Sequence, residues 1–109
     1  MTNKKMWIMV IALFVTVTGL AVAQTYTNSA NNRLTMSFNS SNGTFVVRNG
    51  SMEAAAGSYR INGNQLMITV NRGSREQVGR TFVYIINGNE FSSNNGIMSG
   101  NERWVWTSN

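Results

Sequence analysis

From residue 34 onward, apolar and polar residues alternate in short runs, and the runs are punctuated by Asn-Gly pairs at 42–43, 49–50, 62–63, 87–88 and 95–96. Strict alternation is the signature of a strand with one buried face. Asn-Gly between two such runs is the strongest short hairpin signal, because its turn needs positive φ. Reading Asn62-Gly63 as a two-residue loop pairs Ile61 with Asn64, Tyr59 with Leu66 and Gly57 with Ile68. Tyr59, Ile61, Leu66, Ile68 and Val70 then share one face, and Ser58, Arg60, Gln65, Met67 and Thr69 share the other. Asn87-Gly88 pairs Tyr84 with Phe91 and gathers Phe82, Tyr84, Ile86 and Phe91. Val83 and Ile85 make that strand apolar on both sides, which predicts a central or doubly covered position. Asn42-Gly43 pairs Phe38 with Val47, and Asn49-Gly50 pairs Val47 with Met52 and Phe45 with Ala54. These pairings put Leu34, Met36, Phe38, Phe45, Val47, Met52 and Ala54 on one face.

The alternation changes phase at Ala54–Gly57, where a single glycine predicts a bulge or a corner. Residues 71–79 form the longest polar stretch between strands. Gly100-Asn101 is expected to turn Ile97 onto Trp104, and Trp104 and Trp106 share a face. The predicted strands are 33–39, 44–48, 51–55, 57–61, 64–70, 80–86, 89–92 and 103–107, with a further short one possible at 97–99. No helical period appears after residue 23. The pattern therefore predicts an all-β fold, an antiparallel meander of about eight short strands that forms a barrel or a sandwich.

Tyr59–Leu66 is echoed by Tyr84–Phe91, so one hairpin unit is used twice. The sequence reads Phe-Asn-Ser-Ser-Asn-Gly-Thr-Phe from Phe38 to Phe45. It reads Gly-Ser-Tyr-Arg-Ile-Asn-Gly-Asn-Gln-Leu-Met-Ile-Thr from Gly57 to Thr69, and Trp104 stands on the last strand. Over residues 34–107 this resembles the small secreted lipocalin-like (calycin-type) β-barrel domains of bacteria. The resemblance implies an up-and-down barrel, often with an apolar interior pocket, and implies no particular ligand. That family usually opens with Gly-x-Trp on its first strand, a motif that the stretch from Tyr26 to Leu34 does not contain.

The N-terminus follows another grammar. Lys4 and Lys5 precede an unbroken apolar run from Met6 to Val15, and Ala21-Val22-Ala23 supplies a small-x-small site. These are the parts of a secretory signal peptide, with a helical leader cut between Ala23 and Gln24. The alternative is an uncleaved anchor, since 6–23 is just long enough to span a bilayer. No cysteine follows the cut to carry a lipid. The expected organisation is a signal peptide at 1–23, an N-terminal extension at 24–33 and a lipocalin-like β domain at 34–109. The expected location is secreted or periplasmic, with membrane contact only through the leader before cleavage.

Cleavage changes the charge. Seven arginines and four glutamates remain in 24–109, an excess of +3 scattered along the sequence. That excess suits solubility and gives no basic stripe for nucleic acid. The same 86 residues contain no His, Cys, Asp or Lys. Ser-His-Asp and Cys-His nucleophiles, Lys Schiff bases and the usual zinc sites therefore cannot be built, and no cofactor or metal is expected. Glu53, Glu76, Glu90 and Glu102 are the only candidates for acid–base work. Each is expected to be a solvated surface charge.

The aromatic residues Tyr59, Phe82, Tyr84, Phe91, Trp104 and Trp106 all fall on predicted apolar faces. They are either core or the lining of an interior pocket, since a small barrel fills with side chains or holds one ligand. The function expected is that of a non-catalytic exported β-barrel module that binds a small apolar ligand or an envelope partner. The alternatives are a surface interaction module with a filled core (an inhibitor or adhesin), a glutamate-dependent glycan hydrolase, and a polymerising β protein.

Overall fold

The computed structural model describes residues 23–108, and the leader expected at 1–23 lies outside them except for Ala23. Eight antiparallel strands run in sequence order: β1 Ala23–Asn28, β2 Leu34–Asn39, β3 Thr44–Asn49, β4 Met52–Asn62, β5 Gln65–Arg72, β6 Thr81–Asn87, β7 Glu90–Ser93 and β8 Glu102–Ser108. Each pairs with its neighbours, and β1 pairs with β8, so the meander closes into a barrel and leaves no edge among the described strands. Alternation survives as burial. Along β6 every second residue is buried and the others are exposed, and β2 and β5 repeat the inward half of the pattern.

The strand count matches the expectation for a different reason. The stretches 51–55 and 57–61 are one continuous strand, β4, and the missing eighth strand is β1, which comes from the stretch expected to be an N-terminal extension. Thr25-Tyr26-Thr27 offers only one inward apolar residue, too short a run for the period to show. Tyr26 is fully buried between β2 and β8, opposite Met36 and Trp106. The barrel thus closes without Gly-x-Trp, using a tyrosine.

The phase slip at 54–57 is a pair of bulges. Val47 faces Ala55 while Arg48 faces Glu53, so Ala54 is the extra residue on β4. Ala56 faces Arg72 while Gly57 faces Val70, so Asn71 is extra on β5. Met52 starts β4 opposite the exposed Asn49, at the barrel rim, where it is 72% exposed, and the slip brings the buried Ala55 opposite Val47 in the place expected for Met52. Among the described glycines, Gly57 sits in the tightest approach to neighbouring backbone. A Cβ there would lie inside the Thr69 carbonyl and against the Phe45 ring. Gly57→Ala is therefore expected to destabilise by about 3 kcal/mol, because the obstructing atom is backbone and cannot swing away. Urea denaturation of the variant checks this.

Every expected hairpin is present, but centred differently. The two-residue loops are Gly50-Ser51, Gly63-Asn64 and Gly88-Asn89, since Asn49 pairs with Met52, Asn62 with Gln65 and Asn87 with Glu90. Glycine holds the first central position at φ +66 to +68, the arrangement of type II′ turns. One positive φ borne by glycine is less costly than two shared with asparagine. The loop after β2 has four residues, 40–43, so Phe38 faces Phe45 rather than Val47. Tyr59 likewise faces Ile68, and Ile86 rather than Tyr84 faces Phe91. All these shifts move the pairing by two, which preserves which residues share a face.

The short loops 40–43, 63–64 and 88–89 lie at one end of the barrel, together with the start of β1 and the finish of β8. The opposite end carries the connections 29–33, 50–51, 73–80 and 94–101. Asn28 opens the first of these by accepting hydrogen bonds from the amides of Ala30 (2.9 Å) and Asn31 (3.1 Å).

The interior is filled with side chains. Tyr26, Met36, Phe38, Phe45, Leu66, Ile68, Tyr84, Phe91 and Trp104 are all essentially inaccessible to solvent. Burial of each such residue contributes about 1.5–3 kcal/mol. The outer face of β6 corrects one expectation: Val83 and Ile85 are 42% and 45% exposed, so that strand is covered on its inner side only.

Candidate functional site

The alternation that buries Trp104 also points its second neighbour, Glu102, inward. The expectation of a surface position beside a turn is corrected here. Glu102 is 8% exposed and lies at the long-loop end of the barrel. Burial of a carboxylate is costly unless its oxygens are hydrogen-bonded, and here both are. Oε1 accepts from the Tyr84 hydroxyl at 2.7 Å and from Trp104 Nε1–H at 3.0 Å. Oε2 accepts from the Met98 amide. The Tyr84 oxygen in turn accepts from the Ile97 amide at 2.9 Å.

This network fixes the connection 94–101 against the wall. Ile97 is pulled into the core, 2% exposed, and 97–99 forms a turn rather than a short strand. The turn is tight. Gly96 N–H donates to Gly100 O, Ser99 N–H donates to Gly96 O, and Ser99 stands at φ +71. Among the described residues Ser99 is the one non-glycine with positive φ. A Cβ on Gly96 would collide with the Glu102 carboxylate, so that glycine is required by close approach. From the other side, Gln77 of the 73–80 loop donates to Ile97 O at 2.8 Å.

The six aromatic residues singled out by sequence do not form one site. Tyr84, Phe91 and Trp104 come together in the middle of the barrel. Phe91 is their hub, with ring centroids 5.2 Å from Tyr84 and 6.2 Å from Trp104, stacked on the latter. Tyr26 at 4.9 Å and Phe38 at 5.8 Å complete its surroundings. These are ordinary packing distances, so rings occupy the space in which a ligand would lie. Phe82 lies towards the long-loop end beneath the Arg80 guanidinium, 4.9 Å above its ring. Tyr59 is half-buried near the short-loop end, against Phe38 at 4.9 Å. Trp106 shares the face of Trp104 but stands at that same end, 39% exposed.

Burial pushes the Tyr26 and Tyr84 hydroxyls far above their ordinary pKa near 10. For Tyr84 the neighbouring Glu102 carboxylate adds to the effect. The folded state therefore holds these protons more tightly than the unfolded state does. Their contribution is complete below about pH 10 and is lost above it, as the unfolded tyrosines ionise, at about 1.4 kcal/mol per pH unit for each. Urea midpoints measured into strongly alkaline solution should fall accordingly, and less steeply in Tyr84→Phe.

The remaining glutamates are apart from one another in their partners. Glu53 accepts two hydrogen bonds from Arg72, at 3.0 and 3.2 Å, which hold its carboxyl below the usual range. Glu90 lies 3.7 Å from Arg103. Glu76 is exposed in the 73–80 loop.

Two recesses flank the loop that Glu102 fixes. One, of about 220 Å³, lies between the 73–80 and 94–101 connections and is lined by Ser74, Glu76, Gln77, Arg80, Phe82, Asn95, Gly96, Ile97 and Ser99. The other is a more open groove of about 320 Å³ along Ser29, Ser92, Ser93, Asn94, Asn101, Glu102 and Arg103. Both have polar rims rich in hydrogen-bonding groups. Sequence reasoning named neither, because each joins loops that are distant in sequence. No family model, no curated protein and no solved structure matches this protein.

Proposed function

We propose that the protein is exported with removal of residues 1–23 and serves as a non-catalytic binding module. It engages an envelope partner through the long-loop end of a filled barrel. The observation that carries this reading is the interior itself, where Phe91 is enclosed by four other rings. Recognition then falls to the surface, and the 220 Å³ recess offers the means. Arg80 is held over the Phe82 ring, and Ile97, Gln77, Ser74, Ser99 and the Glu76 carboxylate line the same recess. Such a recess suits a small polar or acidic group presented by a partner.

Two further points support the reading. Cleavage after Ala23 would remove one residue of β1 and leave the pairing of Gln24–Thr27 with β2 in place. The residues of 24–109 include no His, Cys, Asp or Lys, and three of the four glutamates are already engaged by other side chains. The closed meander is also compatible with a lipocalin-like barrel. For an apolar ligand to enter it, the ring cluster around Phe91 would have to move.

The test compares purified protein with an Arg80→Ala variant, each immobilised and exposed to envelope fractions. A partner retained by the first and lost by the second supports the reading. An apolar compound that raises Tm equally in both, with no partner held by either, would place the function inside the barrel instead.

A further inference from the structure

We infer that Asn62-Gly63 and Asn87-Gly88 are sites of spontaneous covalent modification, and that the fold protects the other three Asn-Gly pairs. The reaction needs only water. The glycine backbone nitrogen attacks the carboxamide carbon of the asparagine and forms a new bond to it. The bond between that carbon and the carboxamide nitrogen breaks, and the nitrogen leaves as ammonia, taking up the proton that the glycine nitrogen gives up. Water then opens the resulting five-membered succinimide at either carbonyl, giving aspartate or isoaspartate. The glycine N–H must be free to approach, and the asparagine carboxamide must be free to turn.

The five pairs differ in these respects. Gly43 N–H donates to Asn39 O at 3.0 Å, Gly50 N–H to Arg33 O at 2.9 Å, and Gly96 N–H to Gly100 O at 3.0 Å. The carboxamides of Asn42 and Asn49 are also engaged, by the Thr44 hydroxyl at 2.7 Å and by Arg33 Nε at 3.4 Å. Gly96 is buried. Neither Gly63 nor Gly88 donates its N–H to a backbone acceptor among the described residues. Asn62 and Asn87 are exposed, and nothing lies within 4 Å of a Cβ placed on either glycine. Both pairs lie at the short-loop end.

The two products differ in consequence. Asn87 pairs with Glu90, so a carboxylate at 87 meets another across the ladder. Asn62 pairs with the neutral Gln65. Conversion at 87 therefore loosens the β6–β7 hairpin, while conversion to aspartate at 62 leaves β4–β5 in place.

The experiment incubates the purified protein at mildly alkaline pH, folded and in denaturant, and follows each pair by peptide mapping with fragmentation that separates isoaspartate. In the folded protein, conversion at Asn62 and Asn87 should outpace that at Asn42, Asn49 and Asn95 by about fivefold or more. That is the effect of holding an N–H in one net-favourable hydrogen bond. In denaturant the five rates should converge. Conversion at 42, 49 or 95 as fast as at 62 and 87 in the folded protein would overturn the inference. So would a rate difference that survives denaturation, or folded protein that converts nowhere. Asn87→Asp should lower Tm more than Asn62→Asp, and the reverse order would remove the proposed consequence.

Discussion

Glu102→Ala is expected to lower stability by about 3 kcal/mol or more, the largest effect of any single polar change in the barrel. The change leaves the Tyr84 hydroxyl, the Trp104 indole N–H and the Met98 amide without their common acceptor. Each unsatisfied buried donor costs about 1–3 kcal/mol. Some of that is recovered as the 94–101 loop lifts away and admits water. A domain of this size has on the order of 5–10 kcal/mol in total, so the variant is marginal at 37 °C. Glu102→Gln separates charge from shape. Its amide retains one acceptor oxygen but turns an NH2 towards a donor, either the Met98 amide or the Tyr84–Trp104 pair. It should cost about 1–3 kcal/mol. Hydrogen exchange should show the loss as early opening of residues 96–100, with the strands still protected. If Glu102→Ala melts with the wild type, the network is not what fixes the loop.

The second large effect is expected at the centre of the barrel. Phe91→Ala removes the ring that contacts Tyr26, Phe38, Tyr84 and Trp104 and should cost about 3–5 kcal/mol, part of it from the cavity left behind. The cavity walls are rings and aliphatic groups, so the space should stay dry and accept a small aromatic molecule. Calorimetry with benzene-sized compounds should therefore show binding to the variant and none to the wild type. Equal binding to both would mean that the native interior already has room. Phe91→Leu fills most of the space and should recover more than half of the loss. Tyr84 and Trp104 touch both Phe91 and Glu102, so the two changes should combine non-additively.

What can be read from the sequence depends on how each feature is encoded. Facing is encoded by parity, and parity is insensitive to where a hairpin loop is centred. Alternation therefore sorts Phe38, Phe45, Leu66, Ile68, Tyr84 and Phe91 correctly to the interior although their partners are displaced by two positions. It missorts Met52 by position rather than by facing: Met52 starts β4 opposite the exposed Asn49, and the alternation slips only after it, at the Ala54 bulge. The triple alanine beside Gly57 marks the place of that slip without giving its direction. β1 escapes the pattern because one tyrosine between two threonines does not make a period. Its place is set by partners at both ends of the barrel domain, Met36 and Trp106.

The site is less legible. Sequence singles out Tyr84 and Trp104 as aromatic rings, whereas their polar atoms are what bring them to Glu102. Glu102 itself could be found by extending the alternation that places Trp104 inward. Residue type argues for the surface, and alternation, which the packing enforces, argues for the interior. The recesses depend on loops joined by contacts such as Gln77 to Ile97, which no local pattern announces.

A barrel closed by β1 against β8 around a solid interior of rings has a direct spectroscopic signature. The most direct measurement is a set of nuclear Overhauser contacts in the purified protein. Cross-strand contacts from Tyr26 to Trp106 and from Thr27 to Val105 are expected, together with ring contacts from Phe91 to Tyr26 and Trp104. A spectrum in which residues 24–28 make no contact with 104–108, or in which the Phe91 ring meets solvent or a bound molecule instead of its neighbours, would contradict it.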